Sequence, residues 1–72
     1  MEIQQLRYFH RVCMLHSFTK AAKACFVSAL GISMAIHRLE EELSCKLFER
    51  SAKELVLTEH ARFLLPLAER IV

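Results

Sequence analysis

One glycine and one proline in 72 residues leave this chain little material for turns, which favours a helix-dominated fold. The single glycine also excludes a Gly-rich phosphate loop. There is no tryptophan, and no ordered Ser/His/acid set or paired inward carboxylates, so nothing supports an enzyme or calls for a cofactor. The cysteines, Cys13, Cys25 and Cys45, are odd in number and lack any CxxC spacing. No histidine stands at a zinc-finger distance from them, so neither a disulfide framework nor a metal site is indicated. They read as small buried apolar groups in a reducing cytosol. No apolar run approaches the roughly 20 residues of a membrane span, and the polar, amphipathic N-terminus is no signal peptide. The expected setting is cytoplasmic, with no membrane partner.

The charge is also modest. A net charge of +2 supports nucleic-acid binding only weakly. Its distribution says more, because Lys20, Lys23, Arg38, Lys46, Arg50 and Lys53 crowd the middle of the chain. The acids Glu40, Glu41 and Glu42 read as a solvated helix face. An apolar fraction of 54% is high for so short a chain, implying a dense core or a face meant for a partner.

Periodicity divides the chain. Leu6, Phe9, Val12 and Cys13 recur at helical spacing, predicting a first helix from about Ile3 to His16. Ser17 is a natural N-cap for a second helix, Phe18 to Cys25, with Ala21, Ala22 and Cys25 inward. Phe26-Val27 forms the turn, with Val27 expected to be buried. Ser28 caps a third helix, Ala29 to Leu43, whose stripe is Ile32, Ile36, Leu39 and Leu43. Two helices joined by a tight turn, with alanines at their crossing, make a helix-turn-helix.

Leu47-Phe48-Glu49-Arg50 and Leu55-Val56-Leu57 flank the polar stretch Ser51-Ala52-Lys53-Glu54, predicting a two-stranded hairpin, or wing. The stretch lacks Gly and Asn, so its turn type stays open. Thr58 caps a fourth helix, with Glu59 favourable in its first turn. Ala61, Leu64, Leu65, Ala68, Ile71 and Val72 give that helix an apolar surface broader than one docking face needs. Pro66 inside it is expected to kink it. The helical pattern continues to Val72 without a stop signal, so the chain reads as a piece of a longer protein.

Ordered blocks then carry a resemblance: Leu6-Arg7-Tyr8-Phe9, Ser17 to Ala22, Val27-Ser28, Ile36 with Arg38 to Leu43, Leu47 to Arg50, and Leu57-Thr58-Glu59. Over nearly its whole length the chain resembles the N-terminal winged helix-turn-helix domain of LysR-type transcriptional regulators. The resemblance implies a mainly α fold with a β-hairpin wing. Residues 1–58 would be the DNA-binding domain and 59–72 the start of a linker and dimerisation helix. It implies a bacterial regulator that binds double-stranded DNA with its third helix in the major groove and forms a homodimer through Leu64, Leu65, Ala68 and Ile71. A small-molecule inducer would bind a C-terminal effector domain absent from this sequence.

After the capping serine the family usually reads Gln-Pro-Ala-Leu-Ser-Arg-Gln-Ile. This chain reads Ala29-Leu30-Gly31-Ile32-Ser33-Met34-Ala35-Ile36. Gln and Arg bind base edges bidentately, each worth about 1–3 kcal/mol of discrimination, whereas Ala and Met offer only apolar contact to a thymine methyl. A frequent basic residue is His37 here. The scaffold is retained while base-reading side chains are lost, so a larger share of affinity is expected from phosphates, with shallow sequence preference.

The candidate DNA-binding residues are Thr19, Ser28, Ala29, Ser33, Met34, His37, Arg38, Arg50 and Lys53. Thr19, Ser28 and Ser33 either meet phosphates or serve as caps and solvated groups. Arg50 and Lys53 reach backbone or minor groove, or are loop charges. Arg38 meets DNA or pairs with Glu41 or Glu42 along its own helix. His37 touches a base or is solvated. The competing functional reading is a degenerate dimerisation module that holds intact relatives in inactive heterodimers.

Overall fold

The computed structural model describes residues 1–50 and 54–72. The chain forms α1 (Ile3–Leu15), α2 (Phe18–Cys25), α3 (Ala29–Leu43), β1 (Phe48–Arg50), β2 (Leu55–Leu57) and α4 (Glu59–Ile71). The strands pair antiparallel, with Phe48 opposite Leu57, Glu49 opposite Val56 and Arg50 opposite Leu55.

Each helix starts where a side chain satisfies backbone donors that a first turn leaves free. Ser17 Oγ accepts from Lys20 N at 3.1 Å and Ser28 Oγ from Gly31 N at 2.9 Å. Thr58 Oγ1 accepts from Ala61 N at 3.2 Å and donates to the Lys46 carbonyl at 2.6 Å. It thereby pins the start of α4 to the approach of β1. At the head of α1, Gln5 Oε1 accepts from Glu2 N at 3.0 Å, which accounts for a polar side chain that is nearly buried.

Three helices end in the left-handed region without glycine: His16 at φ 52°, Phe26 at φ 59° and Ser44 at φ 56°. The first helix therefore stops at Leu15, one residue earlier than its apolar pattern suggested, with His16 as its cap. The only glycine lies inside the first turn of α3. A Cβ on Gly31 would stand 3.1 Å from Ser28 Oγ, so the cap hydroxyl is held close over this position.

Phe9, Val12, Ile32, Leu39 and Leu47 are the largest fully buried side chains. Ala21 and Ala22 are buried with them, at the place where α2 lies close to α1 and α3. Small side chains there let the helices approach. The wing is held by aromatics: Phe48 lies 5.6 Å from Phe9 and 5.6 Å edge-on from Phe18. Burial pushes the Cys13 thiol up to about 12, and the nearby Glu69 carboxylate adds to this, so the thiol stays protonated and inert.

Several expectations change. Val27 is not buried but 36% exposed, because the left-handed turn at Phe26 directs the chain outward before Ser28. Glu40 is not on a solvated face: its Oε2 accepts from Leu47 N at 2.7 Å and Phe48 N at 3.3 Å. Glu42 is exposed but engaged by the Met1 amino group at 2.6 Å, a hydrogen bond that holds its carboxyl below the usual range. The helix expected to kink at Pro66 runs as a single element, α4, through that residue. The wing turn, including its open turn type, falls on residues 51–53 and lies outside the described residues.

Candidate nucleic-acid interface

The helices α2 and α3 meet at 105°, joined by Phe26, Val27 and Ser28. Helix pairs at 90–120° with so short a turn present the second helix on the surface. Ile32, Ile36 and Leu39 bury one side of α3. At 100° per residue, the opposite side carries Leu30, Met34, His37, Arg38 and Glu41. All five are exposed, with Leu30 at 70% and Met34 at 49%.

Position fixes what these residues can do. Ala29 is exposed at the first turn beside Ser28, whose Oγ accepts from Gly31 N at 2.9 Å and keeps its O–H to donate. Ser33 is half-buried and lines a shallow cleft with Phe18, Ile36, Phe48 and Arg50 at the junction of α3 and β1. Thr19 is exposed at the start of α2, in a cleft shared with Ser17, Arg50 and Glu54. Arg38 makes no ion pair among the described residues. The pairing expected of it falls instead to His37, whose Nε2 lies 3.7 Å from Glu41 Oε1, the i,i+4 partner. Glu42 instead meets the Met1 amino group. Lys53 lies outside the described residues.

Arg50 is placed with more definition than a loop charge. Side chains alternate along a strand, so Arg50 shares the face of Phe48. Its guanidinium carbon stands 4.6 Å over the Phe18 ring, a cation–π geometry. Phe18 is the first residue of α2, so the wing cation is stacked beside an N-terminal helix turn. Sequence reading missed Phe18 as its platform, although the pattern Phe48-Glu49-Arg50 contained the signal. It also missed Glu40, whose carboxylate ties α3 to β1 and so fixes the wing relative to the exposed helix.

On α4 the residues divide differently than expected. Ala68 is 0% exposed and belongs to the domain's own core, while Leu64 and Leu65 are half-buried against it. Ile71 is exposed. The outward apolar residues are Phe63, 76% exposed, and Leu67 four residues on, neither of which was singled out. The spacing held this signal: Ala61, Leu64, Leu65 and Ala68 fill one face at i, i+3, i+4 and i+7, leaving Phe63 and Leu67 on the other.

Four helices, a two-stranded wing and an outward-facing second helix of the motif define a winged helix-turn-helix domain. The family described as "Bacterial regulatory helix-turn-helix protein, lysR family" matches residues 3–62. The chain belongs to this family. It is 36% identical over 72 residues to the HTH-type transcriptional regulator CitR of Bacillus subtilis (strain 168), covering 100% of this chain and 25% of that protein. It is 40% identical over 62 residues to the RuBisCO operon transcriptional regulator of Allochromatium vinosum, covering 86% of this chain and 20% of that one. This chain thus spans about a quarter or less of these two relatives' length. Among solved structures, the BenM DNA-binding domain in complex with benA site 1 DNA superposes with a TM-score of 0.93 at 37% identity, covering 99% of this chain and 80% of that one. No single helix among the described residues is long and apolar enough to cross a membrane.

Proposed function

We propose that this chain is the DNA-binding domain of a transcriptional regulator, presenting the exposed side of α3 to the major groove of double-stranded DNA. The observation that carries this reading is the likeness, at a TM-score of 0.93 and 37% identity, to a domain solved on its DNA site. The outward side of α3 and the stacked Arg50 at the wing supply what such docking requires. Thr19, Ser28 and Arg50 are the proposed phosphate contacts. Ala29, Ser33, Met34, His37 and Arg38 are the residues of α3 nearest the bases or flanking backbone, and Lys53 would act from the wing. Residues 1–58 form the binding unit, and 59–72 begin the helix that pairs two copies. A small-molecule inducer would act through an effector domain that these 72 residues do not include.

Fluorescence anisotropy against a family-type palindromic duplex and a randomised pool, across a salt series, tests this. Binding should favour the palindrome and weaken steeply with salt, since each phosphate contact releases counterions. Equal weak binding to both would defeat the sequence-specific reading. A second reading, a dimerisation module that captures intact relatives, is favoured by the outward Phe63 and Leu67 and the missing base-binding side chains. Co-purification with a full-length relative in the absence of DNA binding would support it.

A further inference from the structure

The side of α3 that points away from the core is apolar for its first two turns. Leu30 and Met34 stand four residues apart, and both are open to solvent. Gly31 between them adds no side chain. Ala29 contributes a methyl, Ser28 has its hydroxyl oxygen on its own cap, and Ser33 is drawn toward the wing junction. Polar side chains return to the outer surface only at His37, which faces Glu41, and at Arg38. The first two turns therefore present no bidentate hydrogen-bonding side chain to a base edge.

On the proposed docking, this is the stretch that enters the major groove. One feature of a base pair there is apolar, the C5-methyl of thymine. Resting on that reading of the domain, we infer that this chain recognises its half-site through thymine methyl groups seated against Leu30 and Met34, in place of hydrogen bonds to purines. The ligand class is duplex DNA carrying 5-methylpyrimidines at the positions under the first two turns of α3. The pair suits methyl groups better than a protein surface. Stable protein interfaces bury about 800 Å² per partner, whereas two side chains bounded by the helix N-terminus and by the polar His37, Arg38 and Glu41 offer only a narrow apolar strip. A helix of 10–12 Å diameter carrying that strip fits a groove about 12 Å wide.

The consequence is chemical and specific. Deoxyuridine pairs as thymidine does but lacks the methyl. 5-Methylcytosine keeps the methyl while changing the hydrogen-bonding pattern. Both distinguish methyl contact from purine readout.

The experiment begins with the best duplex selected from a randomised pool. Each thymidine of a half-site is replaced singly by deoxyuridine, and anisotropy gives the affinity. One or two positions per half-site should lose about fourfold each, the value of one buried methyl. At those positions a 5-methylcytosine·guanine pair should bind better than an unmethylated cytosine·guanine pair. Leu30→Ala and Met34→Ala should each erase the thymidine–deoxyuridine difference at one position while salt-dependent binding persists. Both side chains are exposed, so the variants keep the fold. A selected duplex that binds above the pool yet tolerates every deoxyuridine overturns the inference and leaves DNA binding standing. Failure to enrich any duplex overturns the DNA-binding reading and the inference together.

Discussion

Single residues here carry conformations that the composition makes expensive. Phe26 has φ 59° and is 95% exposed, so a bulky residue occupies the left-handed region without burying its ring. The left-handed conformation costs an L-residue about 1–2 kcal/mol, and glycine avoids this at an entropic cost of about 0.5–1 kcal/mol. Phe26→Gly should therefore raise stability by roughly 0.5–1 kcal/mol. Urea unfolding followed by circular dichroism checks this; a loss of stability would mean that the ring packs in a way its exposure does not reveal. At this scale the sequence was legible for caps and illegible for exceptions. Ser17, Ser28 and Thr58 announce helix starts, since the hydroxyl needs only a donor three residues on. Val27 reads as buried because it is apolar and flanks a helix, but burial depends on the direction the preceding turn takes.

Among elements, the most consequential link is that between α3 and β1. The Glu40 carboxylate accepts two backbone N–H groups at the start of the wing, donors with few alternatives so close to the core. Removing the acceptor leaves them unsatisfied, at about 1–3 kcal/mol. Glu40→Ala should destabilise the domain by that amount, and Glu40→Gln by less, because an amide oxygen still accepts. Chemical denaturation of both variants measures the difference, and equal stability of Glu40→Ala and the parent would show that water replaces the carboxylate. The sequence placed Glu40 in a run of three glutamates, which resembles a solvated face. Only the return of the chain at Leu47 distinguishes it from Glu41. Likewise, α4 could be read as a helix, but which of its apolar sides faces inward required the position of α1 against it.

The whole molecule measures 26 × 23 × 20 Å, less than one turn of duplex DNA, so one copy can address a single half-site. On the proposed docking, two-fold recognition would need a second copy, for which the exposed Phe63 and Leu67 of α4 are the proposed surface. Phe63→Glu with Leu67→Glu should abolish self-association in sedimentation velocity without lowering stability, because both side chains are exposed in the single domain. It should also weaken binding to a palindrome far more than to an isolated half-site. Unchanged sedimentation of the double variant would remove α4 from the interface.

The sequence by itself determined the local grammar of this protein. Hydrophobic spacing set four helices, hydroxyl caps set the starts of three of them, and two short apolar stretches around a polar one set a wing, because each depends on residues within a few positions of one another. The apolar first turns of α3 were equally legible, since the lack of amide and guanidinium side chains there is a matter of identity alone. Tertiary structure decided the rest. It stacked Arg50 on Phe18, turned Glu40 to the wing, enclosed Ala68 and exposed Phe63. These outcomes depend on which surfaces meet after the chain folds back, and no spacing along one element specifies its neighbour.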